Sequence, residues 1–569
     1  MWKSGQSAIP NKRWLSHWLF TGIAVAIPVF LLIFVLFPLT RMILASFIQD
    51  GLVDFTYYRR LLGGRQAVLF RNTLLITFSS TFLAVLLGLA VSMAVQRSRV
   101  PVRKWFHYTA ILNMISPPFV SAIVFIMLFG RRGLITNRVL GLSVSLVGPQ
   151  MIVILQTIAN ASIAYLVISS VLRGIDPNIE NSATDLGASS HRVFFTVTLP
   201  LLAPGLVASG SLIFANVLAD FGTPILVGGG TRVLASEAYI QLLSNYNLGY
   251  AAALSVGLLF LSSWAFGLER MLLRNREFVS ANVAENISAG GEAARRDPYT
   301  VPNTFLASLF SLLILVQFMA VAAGAFTNIW GYDFSFSLRH FQSSSLQIGK
   351  SLNNSLSFAF RVALIGPLLG VVAATLYQRS KGLMKPLINH LSLIPFAVPG
   401  TVMGISYVLA FNRPPLALTG TALIIVLVCI VRELPISFNS TKAMLKQVSH
   451  HLEEASRDLG ASQWHTLTRI MIPILAPAYK VGMLHGFIHV MITIGAIIFL
   501  ITPRHVTITF EIFRAVNSGR LGEGAAYALT LIVFTVLGLA VLNLLWKLPP
   551  VVRKITGLWT RTPKGGMGQ

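Results

Sequence analysis

One polar segment is written twice in this chain at a fixed distance. The first copy reads Glu180-Asn181-Ser182-Ala183-Thr184-Asp185-Leu186-Gly187-Ala188-Ser189, then Leu199-Pro200-Leu201-Leu202-Ala203-Pro204. The second reads Glu453-Glu454-Ala455-Ser456-Arg457-Asp458-Leu459-Gly460-Ala461-Ser462, then Ile472-Pro473-Ile474-Leu475-Ala476-Pro477. The 273-residue step from Gly187 to Gly460 also places Pro200 on Pro473, Pro204 on Pro477 and Leu248-Gly249 on Leu521-Gly522. A repeat of this span means a fold built from two related halves. Two unrelated amphipathic connectors would not reproduce a glycine and two prolines at one spacing.

Composition supplies the medium. Of 569 residues, 54% are hydrophobic and 11% charged, where a soluble domain carries about 25% charged residues. Apolar windows of roughly 20 residues predict about twelve transmembrane helices, the third over Trp105–Phe129 and the ninth over Ile388–Phe411. The expected fold class is therefore an all-α polytopic membrane protein made of two six-helix repeats. An even number of spans per half makes the repeats parallel, with a pseudo-twofold axis along the membrane normal and the pathway between the halves. The first repeat is expected over 1–276 with its loop near 176–200, and the second over 304–569 with its loop near 449–473. Residues 277–303, rich in Ala, Gly, Glu and Arg, read as a polar cytoplasmic linker. Earlier in each half the offset becomes 282, matching Gln96-Arg97-Ser98 to Gln378-Arg379-Ser380 and Pro117 to Pro399. The nine-residue difference predicts a longer outward loop around Arg131 to Leu142.

The net charge of +25 invites a nucleic-acid reading, but its distribution argues for orientation. With the amino terminus in the cytoplasm, basic residues favour that side by about two to one, as membrane insertion requires. Both termini and both repeated segments then lie inside, the partner surface is lipid, and no nucleic acid is implied. Outward arginines (Arg59, Arg60, Arg65, Arg131, Arg132, Arg138) leave room for an acidic partner or an anionic solute. The first span is longer than a signal-peptide core and reads as retained. Cys429 is the one cysteine, so no internal disulfide or thiolate cage can form.

Each repeated segment has the chemistry of a helix, a glycine turn and a second helix that runs into a proline-started span. Asp176-Pro177 and the stretch from Ser449 to Leu452 supply helix starts, and Gly187 and Gly460 supply the breaks. Carboxylates Glu180 and Asp185, with Glu453, Glu454 and Asp458, stand beside small residues such as Ser182, Ala183 and Ala455. A polar knob presented twice about a twofold axis suits a symmetric pair of partner subunits.

These segments resemble the EAA loop of bacterial ABC importer permeases, whose pattern is Glu-Ala-Ala, three residues, Gly, nine residues and Ile-x-Leu-Pro. The second copy offers Glu454-Ala455-Ser456, Gly460 and Ile470-Met471-Ile472-Pro473; the first offers Asn181-Ser182-Ala183, Gly187 and Val197-Thr198-Leu199-Pro200, with Glu180 one position early. The resemblance implies the type I importer permease fold in a bacterial inner membrane. It makes each loop a coupling helix that docks into one of two ATP-binding-cassette subunits. The coupling residues it implies are Glu180, Asp185, Gly187, Glu453, Glu454, Ala455, Asp458 and Gly460. ATP and Mg would be bound by those subunits, with no cofactor in this chain, and a periplasmic binding protein would deliver the solute. Leu218-Ala219-Asp220-Phe221-Gly222-Thr223-Pro224, Arg432-Glu433-Leu434-Pro435 and Ala496-Ile497-Ile498-Phe499-Leu500 are similar to the fused two-domain permeases of ferric iron uptake. Permeases for thiamine, phosphonates, sugar phosphates and phosphoglycerate look alike, so iron is the expected solute and those remain alternatives.

Asp220, Arg432 and Glu433 are ionisable residues at membrane depth, where a partner or an aqueous path is required. They are candidate pathway residues, or else an internal pairing that fixes packing. His485 and His489 share a helix face at a metal-ligand spacing, but with no third ligand identifiable the sequence assigns no metal site. Gly349-Lys350-Ser351 echoes a phosphate loop whose first glycine is here Ser344. No catalytic constellation appears, so an enzyme is disfavoured and ATP hydrolysis falls to a separate chain. An ion-gradient secondary transporter would account for the spans but not for the twin loops.

Overall fold

The computed structural model describes residues 12–547 apart from 50, 99, 118, 143, 145, 274–298, 449, 450 and 462. Both chain ends and most of the expected linker, 277–303, lie outside the described residues; residues 300–303 already belong to the second half's first helix.

In lipid every backbone polar group must be satisfied within its own segment, so the apolar runs become helices. The first half comprises α1 (Gly22–Phe47), α2 (Ala67–Gln96), α3 (Arg103–Ile115), α4 (Val120–Phe129), α5 (Pro149–Gly174), α6 (Pro177–Asp185), α7 (Leu199–Ala219), α8 (Gly222–Val227), α9 (Leu234–Leu243) and α10 (Leu248–Leu273). The second comprises α11 (Thr300–Phe326), α12 (Ser345–Arg379), α13 (Met384–Ala397), α14 (Gly400–Phe411), α15 (Ala422–Gln447), α16 (His451–Asp458), α17 (Ile472–Ile492), α18 (Ile508–Asn517) and α19 (Leu521–Lys547). The offset of 282 carries α3 onto α13, and 273 carries α5, α7 and α10 onto α15, α17 and α19. The switch falls between α4 and α5, where the connection is longer than its counterpart between α14 and α15, as the two offsets require.

Among the described residues eleven helices are long and apolar enough to cross a bilayer, or twelve if α13 and α14 count as one bent span. The third and ninth spans are not the straight helices expected from hydropathy. The chain breaks between α3 and α4 and bends by 114° between α13 and α14. Pro117 and Pro399 sit at these breaks; proline removes a helix donor and turns its predecessor away from helical geometry.

Packing within each half is close because small residues face one another. A Cβ on Gly88 of α2 would lie 2.3 Å from the Ala164 Cβ of α5, and one on Gly370 of α12 would lie 2.4 Å from the Ser437 Cβ of α15. Those positions are again related by 282 and 273. Between halves, the first helix of each embraces the other: α1 packs on α14, and α11 packs on α2, α3 and α4. Polar contacts tie these crossings, with Tyr407 Oη donating to the Phe34 carbonyl at 2.7 Å, the Thr109 and Ser311 hydroxyls 2.8 Å apart, and Ser121 Oγ donating to Gln317 Oε1 at 3.0 Å. Gly349-Lys350-Ser351 is helical within α12, and Lys350 Nζ donates to the Pro503 carbonyl at 2.9 Å.

Candidate functional site

The two repeated segments adopt one conformation. Asp176 caps α6, its carboxylate accepting from the Asn178 amide at 2.9 Å. The helix ends in a left-handed turn at Gly187 (φ +87°), matched by Gly460 (φ +78°) after α16. Ala188 donates to the Ala183 carbonyl at 3.1 Å and Ala461 to that of Ser456 at 3.0 Å, the same 6→1 closure in both copies. A four-residue helix and one wide helical turn follow in each copy, over Ser190–Val193 and Phe194–Thr198, then Gln463–Thr466 and Leu467–Met471, before α7 and α17 begin.

The glycines are required by backbone rather than by space, because a Cβ at either would meet nothing within 4 Å. Alanine at Gly187 and Gly460 is therefore expected to cost about 1–2 kcal/mol per site from left-handed strain alone. Thermal unfolding of each substituted chain should show that loss, with asparagine, which tolerates that conformation, milder at both sites.

The predicted coupling residues do not all face the same way. Asp185, Glu454, Ala455 and Asp458 are exposed, and Glu453 lies on α16 with its side chain outside the described residues. Glu180 turns inward. Its carboxylate is 3.3 Å from Arg97 Nη2 and accepts from Thr198 Oγ1 at 2.8 Å, with Arg97 and Glu180 side chains only 9% and 13% exposed. Burial draws the Arg97 guanidinium below its ordinary pKa, and Glu180 opposes that shift. The pair ties α6 to the end of α2 and to the root of α7, so the loop is braced against two spans.

What projects instead is apolar. Leu186 and Leu459, one residue before each glycine, are 89% and 88% exposed, and Ile179 and Leu452 are exposed beside them. Beside the exposed carboxylates Asp185, Glu454 and Asp458, nearly bare leucines thus stand at tips related by the repeat. Sequence reasoning passed over them.

A second feature lies where α7 and α17 end. Phe119, Phe221 and Tyr239 from the first half meet Phe499 and Phe513 from the second. Phe221 stacks on Tyr239 at 4.9 Å, Phe119 and Phe513 are 5.3 Å apart, and Tyr239 and Phe499 6.2 Å. The four phenylalanines are almost wholly buried, so the seam between the halves is shut at this level. Asp220, expected as a pathway residue, caps α8 here. It accepts from the Gly222 and Thr223 amides at 3.0 and 3.1 Å and from Gln156 Nε2 at 3.1 Å. Arg432 and Glu433 take separate partners. Arg432 Nη1 reaches Thr493 Oγ1 at 3.5 Å, whereas Glu433 Oε2 and Oε1 lie 2.7 and 2.6 Å from the Nδ1 atoms of His485 and His489.

The family of inner membrane components of binding-protein-dependent transport systems matches this chain twice, over residues 84–277 and 366–548, one match per half. A ferric transport system permease protein of Actinobacillus pleuropneumoniae is 30% identical over 533 residues, covering 90% of this chain and 76% of that one. A putative ferric transport system permease protein of Haemophilus influenzae is 32% identical over 411 residues, covering 69% and 64%. A molybdenum transport system permease protein of Mycobacterium tuberculosis is 34% identical over 183 residues, 31% of this chain.

Proposed function

Because the chain belongs to the family of inner membrane components of binding-protein-dependent transport systems, we propose that it is both permease halves of an ABC importer for ferric iron. The observation that carries the importer reading is the pair of loops with one backbone geometry and matching bare leucines, 273 residues apart. Two ATP-binding-cassette subunits, which bind ATP and Mg, grip one loop each from the cytoplasm, where both termini also lie. A periplasmic binding protein delivers the solute to the opposite face, whose exposed arginines suit an acidic docking rim. The ferric transport names of the two long relatives support iron.

The proposed cycle moves a bistable element and performs no chemistry on the solute. With the aromatic seam packed, access is to the cytoplasmic side. Closure of the ATPase subunits draws the loops together, and the braced α6 carries that displacement to α2 and α7. Since α7 leads directly into Asp220 and Phe221, the same movement parts Phe221 from Phe513 and opens the outer end. The two repeats are the units that rock, and the polar linker joins them.

The test is uptake of radioactive ferric iron by membranes holding the chain, its co-purified ATPase and an iron-loaded binding protein. Import strictly dependent on ATP and on the ATPase subunit is expected. Uptake that persists without any ATPase would install an ion-gradient transporter instead. ATP-dependent import of a phosphonate, sugar phosphate, phosphoglycerate or thiamine with no iron import would replace the solute and keep the machine.

A further inference from the structure

One polar cluster at membrane depth has no part in the loop-and-seam mechanism. Glu433 lies midway along α15 and its side chain is 3% exposed, yet both its oxygens are engaged by histidines of α17. The His485 and His489 side chains keep 39% and 30% of their surface exposed. We propose that these two imidazoles are successive single-nitrogen stops for the transported metal cation, held in register by the Glu433 carboxylate. The proposal deepens the iron reading and rests on it.

Hydrogen-bond chemistry fixes what the rings present. An ionised carboxylate only accepts, so each Nδ1 facing it carries the hydrogen, and in the neutral ring Nε2 keeps a free lone pair. Each side chain keeps part of its surface exposed although its Nδ1 is held at the buried carboxylate. A carboxylate behind an imidazole is also the arrangement that orients metal-binding histidines and raises their basicity. Imidazole nitrogen suits iron and its divalent neighbours.

The spacing argues for transit rather than residence. The rings are nearly parallel, 13° between planes, with centroids 5.8 Å apart. Each ring is held separately, by its own oxygen of Glu433. Among the described residues no three His, Cys, Asp or Glu side chains converge on a cage. Two stops one helical turn apart, each completed by water, bind weakly enough to release, as conduction demands. Arg432, reaching Thr493 one turn beyond His489, adds a positive charge that keeps binding weak.

Position along the seam agrees. The repeat makes Asn216 of α7 the equivalent of His489 and Asn160 of α5 the equivalent of Glu433, and Asn216 is exposed. Exposed polar side chains at this depth face water, not lipid. Just past these positions the two repeats meet, since a Cβ on Gly495 would lie 3.9 Å from the Ala219 carbonyl. The imidazoles thus stand immediately below the closed aromatic seam.

Asparagine separates transport from packing, because its amide can still donate to Glu433 from the Nδ1 position but offers nothing at Nε2. In liposomes holding the full importer, His485→Asn/His489→Asn is expected to lower iron uptake at least about tenfold, as loss of both stops implies. ATP hydrolysis stimulated by loaded binding protein should stay within about twofold, because the loops are untouched. The purified full chain in nanodiscs, titrated with nickel(II) as an imidazole-seeking probe, should show saturable binding that the asparagine pair abolishes. Wild-type uptake by the asparagine pair overturns the relay, and so does nickel binding that is absent from the wild type or unchanged in the variant. If the wild-type importer moves no iron, the iron reading fails by itself and the nickel titration alone decides the site.

Discussion

Aspartate at both leucine tips, Leu186→Asp with Leu459→Asp, should abolish ATP-driven uptake while the permease still folds and inserts. Each leucine is almost fully exposed in the isolated chain, so the substitution removes no internal contact and leaves stability nearly unchanged. Docking is where the loss appears. Burying a leucine side chain contributes about 2 kcal/mol, so each loop would lose about thirtyfold in affinity. A charge carried into an apolar groove adds a further desolvation cost. Alanine at the same positions should be milder and exposed charge reversal at Asp185 and Asp458 milder still, because rim charges contribute little to affinity. Co-purification of the ATPase subunits with each variant measures the effect. Retention of both subunits at wild-type stoichiometry by the double aspartate variant would move the docking patch elsewhere.

That experiment also marks where the sequence could be read and where it could not. The loops were visible because their backbone demands rare residues at fixed spacings: a glycine for the left-handed turn, a proline at each span's start. Spans were visible because lipid imposes length and hydropathy. Leu186 and Leu459 were invisible because a leucine in a chain so apolar carries no signal until the fold shows it in water. The bends beside Pro117 and Pro399 were half visible: the prolines were paired by the repeat, but hydropathy reads through a break as if the helix were continuous. Contacts between distant positions were least legible. Arg97 meets Glu180 and Glu433 meets two histidines across separate helices, and one sequence holds no record of such pairings. The capping contacts of Asp220 were legible only in part. Its carboxylate stands just before Gly222, Thr223 and Pro224, a helix-start pattern that its membrane depth overshadowed.

Glu180 is the second decisive position, because the resemblance makes it a contact for the ATPase whereas its geometry makes it a brace. Glu180→Ala should destabilise the chain by about 3–5 kcal/mol, since it strands Arg97 with most of its guanidinium out of water. The Thr198 hydroxyl loses its acceptor as well, adding about 1 kcal/mol. Loss of uptake in that variant alone is ambiguous, because a brace and a contact both predict it. Replacing the pair together, Arg97→Met with Glu180→Leu, resolves the two. A buried ion pair exchanged for apolar side chains of similar volume is often neutral or stabilising, so packing between α6, α2 and α7 should be restored. If Glu180 acts by holding the loop rigid, the apolar pair should recover thermal stability and at least half of wild-type ATP-coupled uptake. If it touches the ATPase, stability should return while uptake stays as low as in Glu180→Ala. Melting temperature in detergent and uptake in liposomes, measured on the same preparations, distinguish these outcomes. Recovery of both is expected, because the carboxylate is mostly buried and already engaged by Arg97 and Thr198. The loop then acts as a rigid lever whose grip lies in its apolar tip and whose stiffness lies in the buried pair behind it.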